Sequence, residues 1–250
     1  MRRPTGPTIL ASPRRAHKGW TALACLLLIS LPAKELGAQE RTPHRLGPVD
    51  AVLAAGAAGA YFAPHVFKLN EHPPSCAPCS QGSVPWFDRW AITEPRNLPD
   101  AASSGLVVAL AGLEALDLAR AGPAHYGEVG YVAESAGWAL GAAEVLKAIA
   151  ARKRPVLYTP LAPMDSSNLE AQRSWPSGHA AVAFALATSF FLVPRAGAAP
   201  IPAWHKWLAL AAATSIGVLR VAAGKHFPSD VMSGAALGAV SAVTVRAVRF

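Results

Sequence analysis

Six long apolar stretches, at 49–67, 102–119, 129–151, 180–193, 204–221 and 230–248, dominate the chain beyond its first forty residues. Ala, Leu and Gly build them, without the alternation of Val and Ile that a half-buried strand requires. Long runs of good helix formers with no period of two predict an all-α protein, a bundle of about six helices. With 52% hydrophobic and only 15% charged residues, core material is abundant. No repeat or linker divides residues 39–250, which read as one domain.

A helix needs about 20 mostly apolar residues to cross a bilayer, and the third and sixth stretches reach that length most comfortably. Glu114, Asp117, Glu134 and Glu144 interrupt the second and third, and carboxylates inside a membrane are costly unless paired or facing a cavity. A mean hydropathy of +0.27 is modest for six spans. The expectation is therefore a membrane-associated bundle in which at least one segment does not cross. Residues 1–38 read as a signal peptide or an N-terminal anchor: Arg2, Arg3, Arg14, Arg15 and Lys18 precede an apolar run at 20–31, and Gly37-Ala38 supplies small residues. Either reading places the chain in a cell envelope, with an extracytoplasmic site. Cys76 and Cys79 fit a local disulfide in a Pro-rich loop. The net charge of +8 is split between the N-terminus, one polar region and the helix ends. No basic stripe is interleaved with aromatics, which argues against nucleic acid and for anionic lipid surfaces or phosphorylated substrates.

Three polar clusters interrupt the apolar background: Lys147 with Arg154-Pro155, then Pro176-Ser177-Gly178-His179, then Arg220 with His226 and Asp230. Each has an ordinary explanation alone. Basic residues favour helix C-termini, Pro-Ser-Gly makes a turn and cap, and 224–230 is a turn that Ser229 could cap. Together they supply complementary parts of one anion site. Lys147, Arg154 and Arg220 offer three cations for non-bridging phosphate oxygens. Ser177 and Gly178 stand where backbone N–H groups at a helix start can face an anion. His226 with Asp230, four residues on, fits a nucleophile and its orienter, and His179 is left to protonate a leaving oxygen. The cations make a metal unnecessary, so neither metal ligands nor a cofactor is expected. Lys147 and Arg154, seven apart, share a face if the third helix persists to Pro155.

The stretches 147–155, 176–179 and 220–230 resemble the three signature motifs of the type 2 phosphatidic acid phosphatase (PAP2) family, which shares its pocket with vanadium haloperoxidases and bacterial acid phosphatases. The resemblance covers roughly the C-terminal half. It implies a PAP2-type helical bundle with the site at one end. It also implies hydrolysis of a phosphomonoester or diphosphate, of a lipid above all, through a phosphohistidine. His226 is then the nucleophile, His179 the general acid and Asp230 the orienting carboxylate. The alternatives are a vanadate-dependent haloperoxidase, an envelope acid phosphatase acting on soluble esters, or a membrane protein with a vestigial site. One departure stands out: the family usually has Ser before the third-motif arginine, and this chain has Leu219.

Overall fold

The computed structural model describes residues 45–70, 72–162, 169–195 and 197–250; the signal or anchor expected at 1–38 lies outside them. Six α-helices follow one another: α1 (Pro48–Val66), α2 (Asn97–Ala119), α3 (Tyr126–Ala150), α4 (Gly178–Leu192), α5 (Ala203–Ala222) and α6 (Pro228–Arg249). No strand occurs among the described residues. The all-α expectation holds, and five of the six helices start within a few residues of the apolar stretches. The exception is α2, which begins at Asn97 because Pro99 is tolerated in a first turn and Asp100 accompanies it there.

The helices alternate in direction, so the ends of α1, α3 and α5 meet the beginnings of α2, α4 and α6 at one end of the bundle. At the centre, α3 packs on α1, α4 and α6, and α4 packs on α3, α5 and α6. Small residues permit the closest of these contacts. A Cβ at Gly234 or Gly238 of α6 would strike the backbone of Ser177 and Ala181 in and before α4. Leu118, Tyr131, Leu186, Phe190 and Ile216 fill the main core. At the end opposite the polar clusters, Arg249 ties the helices together, bonding Asp50 of α1, Glu134 of α3 and the carbonyl of Gly127. Such a buried cation is tolerated because carboxylates and a carbonyl surround it.

Membrane-length helices differ from the expectation. By length and composition α2 and α6 qualify, not α3. The earlier start at Asn97 lengthens α2. By contrast α3, although 25 residues long, carries Glu128, Glu134, Glu144 and Lys147 buried in the bundle. Only 22% of the most apolar stretch of α2 and of α6 is buried inside the protein, unlike core helices of a water-soluble domain. Val108 and Leu113 of α2, Val218 of α5 and Met232, Val240 and Val243 of α6 are exposed. An apolar outer face on this scale suits a lipid environment.

Cys76 and Cys79 form the local disulfide, with S–S 2.03 Å. The loop that contains it is fastened to the segment after α3 by the Cys79 N–H, which donates to the Leu157 carbonyl at 2.7 Å.

Candidate active site

All three polar clusters converge at the end of the bundle where α3 and α5 finish and α2, α4 and α6 begin. Lys147 lies in the last turn of α3 and is buried; its Nζ donates to Glu144 Oε1 at 2.6 Å. Helix α3 ends at Ala150, and Ala151 takes a left-handed conformation with φ 43°. The expected continuous helical face from Lys147 to Arg154 is therefore absent. Instead, residues 152–154 run beside 171–174: Arg154 N–H donates to the Ala171 carbonyl at 2.7 Å and Ser174 N–H to the Arg152 carbonyl at 2.9 Å. This pairing delivers Arg154 to the site from an extended segment.

The second motif opens α4 as its residue types demand. Ser177 is the N-cap, its Oγ accepting from the Ala180 N–H at 3.5 Å. Gly178 leaves little room for a side chain, because a Cβ there would lie 3.2 Å from Lys147 Nζ, the movable end of that residue. The two N–H groups expected to face an anion are not equivalent. Ser177 N–H is already spent on the Asp230 carbonyl at 3.0 Å, which leaves Gly178 as the better donor. Arg220 sits in the last turn of α5, its Nη1 bonded to Asp100 of α2 and 3.1 Å from Ser103 Oγ.

Each cation has a carboxylate companion: Lys147 with Glu144, Arg154 with Glu170 at 2.7 Å, and Arg220 with Asp100. The Nε–H groups of Arg154 and Arg220 are nonetheless buried without a partner among the described residues. A buried unsatisfied donor costs about 1–3 kcal/mol, and more for a charged group. An oxyanion held between the two guanidinium groups would satisfy both. Beside Arg154 a cavity of about 260 Å³ is lined by Glu170, Gly224 and Lys225.

The two histidines differ in setting. His226 is 2% exposed, and its Nδ1 lies 2.7 Å from the Ser174 carbonyl. A carbonyl only accepts, so Nδ1 carries the proton and Nε2 keeps its lone pair. Burial, with the charges of Arg154, Arg220 and Lys147, holds this ring well below the ordinary imidazole range against the opposing Ser174 bond. The ring is thus neutral, with its lone pair on Nε2. His179, half-buried, reaches Ser104 Oγ through Nε2 at 3.0 Å. Burial, then Arg220, Lys147 and Arg154, pull it down to about 4, with Asp100 opposing.

Asp230 departs from its expected place. Its Oδ2 is 3.8 Å from His226 Nδ1, beyond hydrogen-bonding range. The carboxylate instead accepts from Ser174 Oγ at 2.6 Å, from the Phe227 N–H at 2.8 Å and from Arg152. It caps the start of α6 and anchors Ser174, whose carbonyl then holds the ring. Asp230 reaches His226 through Ser174. Ser229 does not cap α6; its Oγ donates to Asp88 Oδ2 at 2.6 Å.

Sequence reasoning missed Asp88, Arg152, Arg173, Ser174 and Ser104. Arg152 bridges Asp230 and Asp88, with Nη2 2.7 Å from Asp88 Oδ2 and its guanidinium 4.7 Å from the Phe227 ring centroid. Arg173 is buried with Glu144 and with His65, a residue that reads as an ordinary helix end in the sequence. Only geometry sorts the run 152–154: Arg152 joins the buried network, Lys153 reaches Ser75 at 3.0 Å, and Arg154 enters the site. Ser174 acts partly through its backbone, which leaves no side-chain signal.

Residues 128–250 match the family model for the PAP2 superfamily. Over 95 residues the chain is 34% identical to the bacitracin transport permease protein BcrC of Bacillus licheniformis, covering 35% of this chain and 41% of that protein. Over 68 residues it is 40% identical to a lipid A 1-phosphatase of Porphyromonas gingivalis, covering 27% and 14%. The chain thus spans less than half the length of either curated relative. No solved structure is significantly similar.

Proposed function

We propose that this chain, whose residues 128–250 belong to the PAP2 superfamily, is a metal-independent, membrane-associated phosphatase that hydrolyses a lipid phosphomonoester or diphosphate through a phosphohistidine on His226. The observation that carries this reading is the pair of buried, unsatisfied Nε–H groups of Arg154 and Arg220, set around a neutral histidine whose Nε2 lone pair is free. Three cations and the Gly178 N–H preorganise charge for the transferring phosphoryl group, the work that a metal ion performs elsewhere.

In the first half-reaction His226 Nε2 attacks phosphorus, the bond to the leaving oxygen breaks, and His179 gives that oxygen a proton. In the second, His179 takes a proton from water as the water oxygen bonds phosphorus, the P–N bond breaks, and inorganic phosphate departs. A dianionic phosphate among Arg220, Lys147 and Arg154 offsets the charges that hold His179 neutral, so substrate binding itself favours the protonated acid.

The lipid assignment rests on the exposed apolar faces of α2, α5 and α6 and on an apolar groove of about 570 Å³ between α5 and α6, lined by Gly217, Val221, Pro228 and Met232 with Trp90 at its edge. A relative named as a lipid A 1-phosphatase points the same way. The test is a panel of lipid monophosphates, lipid diphosphates and water-soluble esters offered to purified protein in mixed micelles. A kcat/KM at least tenfold higher for a lipid than for the matched soluble ester is expected; equal values would reduce the reading to an unselective acid phosphatase.

A further inference from the structure

We propose that Ser104 of α2 is a positioning residue for His179, fixing which ring nitrogen exchanges the catalytic proton. The proposal rests on the reading of His179 as the group that protonates the leaving oxygen. Ser104 Oγ lies 3.0 Å from His179 Nε2 and 3.2 Å from the carbonyl oxygen of Asp100, one turn earlier on α2. A hydroxyl has one proton, and a carbonyl only accepts. Ser103 Oγ donates to the same carbonyl at 2.8 Å, and both Ser104 contacts are hydrogen bonds at once only when the Ser104 proton points to Asp100 and its lone pairs face the ring. In that arrangement His179 answers with Nε2–H, and in the neutral ring Nδ1 holds the lone pair.

The proton balance then closes on a single atom. In the imidazolium both nitrogens carry hydrogen: Nε2–H stays on Ser104, while Nδ1–H passes to the leaving oxygen as its bond to phosphorus breaks. Nδ1 next accepts a proton from water as the water oxygen bonds phosphorus and the P–N bond to His226 breaks. Ser104 keeps the same bond throughout, which spares the ring a flip between half-reactions.

Charge makes such a partner useful. His179 faces Arg220 from α5, Lys147 from α3 and Arg154 from the segment after α3, all opposing its protonation, with Asp100 of α2 favouring it. A fixed acceptor on Nε2–H stabilises the imidazolium without adding a charge that would repel phosphate. The neighbouring Ser103 serves the same end of α2, its Oγ lying 3.1 Å from Arg220 Nη1. This turn thus supports two groups of the site, yet α2 lies wholly outside residues 128–250. Its trace in the sequence is Ser103-Ser104, where the polar start of α2 gives way to an apolar run.

Two readouts on the full chain in detergent test the proposal. Nitrogen NMR of histidine-labelled protein at neutral pH should show His179 as the Nε2–H tautomer, with a mixture in Ser104→Ala and the single tautomer restored in Ser104→Thr. The Nδ1–H tautomer in the wild type would overturn the proposal whether or not the protein is active. Kinetically, Ser104→Ala should lose about tenfold in kcat on alkyl phosphates, a part of the full value of a general acid. KM should barely move, dinitrophenyl phosphate should be turned over almost normally, and Ser104→Thr should recover the loss. An equal loss on every leaving group, or none on any, would also overturn it. A wild type with the expected tautomer that hydrolyses none of these esters would refute the phosphatase reading and leave the Ser104 contact standing.

Discussion

Replacing Arg152 with Ala should unfold the protein far more easily, although Arg152 touches no part of the proposed phosphate site. Its guanidinium group spans two carboxylates, Asp88 and Asp230, whose side chains are both 0% exposed. Without it, Asp88 keeps only the N–H and Oγ of Ser229, and Asp230 keeps Ser174 Oγ and the Phe227 N–H. Removing one partner of a buried ion pair costs about 3–5 kcal/mol. The two losses should not simply add, because one carboxyl can take up a proton and the neutral donors remain. For a chain of this size each kcal/mol shifts Tm by roughly 2–4 °C, so a fall of about 6–20 °C is expected. The assay is thermal unfolding in one detergent at one fixed scan rate, since unfolding of such a protein is read as an apparent midpoint. Arg152→Lys keeps the charge but not the fork and should fall between. At a temperature where Arg152→Ala is still folded, its kcat should drop more than its KM rises, because Asp230 holds Ser174 and Ser174 holds His226. A midpoint within about 2 °C of wild type would refute the bridging role.

Four further outcomes follow from the structure. Orthovanadate should inhibit strongly and EDTA hardly at all, as inhibition and chelation assays would show; activity lost on chelation and restored by Mg²⁺ or Zn²⁺ would overturn the metal-free reading. With His179 at about 4 in the free protein, binding of sulfate, a dianion that does not itself titrate there, should take up protons between pH 5 and 7, because the anion raises that pKa. Calorimetry in buffers of different ionisation enthalpy measures the uptake, which should fade in His179→Gln; release of protons would contradict the electrostatics. Gly178→Ala should weaken vanadate binding several-fold while Tm stays near wild type, since the added Cβ meets the movable end of Lys147. Gly234→Ala should instead lower stability by about 1–3 kcal/mol, because its Cβ meets the Ser177 backbone.

The helices were legible because long Ala- and Leu-rich runs leave few alternatives. One end was legible where capping chemistry was local, since Ser177 does cap α4; at α6 the cap read as Ser229 is made by Asp230 instead. A cap and a phosphate site proved compatible readings of one turn. Less was legible where a backbone group or a partner distant in sequence decides the outcome. The Ser174 carbonyl carries no side-chain signal, yet it sets the tautomer of His226. Asp230 reads as the direct orienter by spacing alone, but three-dimensional packing gives it the N-terminus of α6, Ser174 and Arg152. The left-handed break at Ala151 falls on an ordinary alanine, so nothing local announced that Arg154 would leave the helix. The start of α2 at Asn97 was hidden because its first turn is polar; that turn supplies Asp100 to the site, and the next supplies Ser103 and Ser104.

The central claim, that His226 Nε2 attacks phosphorus, is tested most directly by trapping the covalent intermediate. Protein mixed with a radiolabelled phosphate ester and quenched in alkali within milliseconds, then digested and sequenced by mass spectrometry, should carry acid-labile phosphate on His226 through Nε2. His226→Ala should carry none and should not turn over, while His179→Gln should accumulate label with a good leaving group because water is no longer activated. Label found on His179, or turnover by His226→Ala at a rate near wild type, would contradict it.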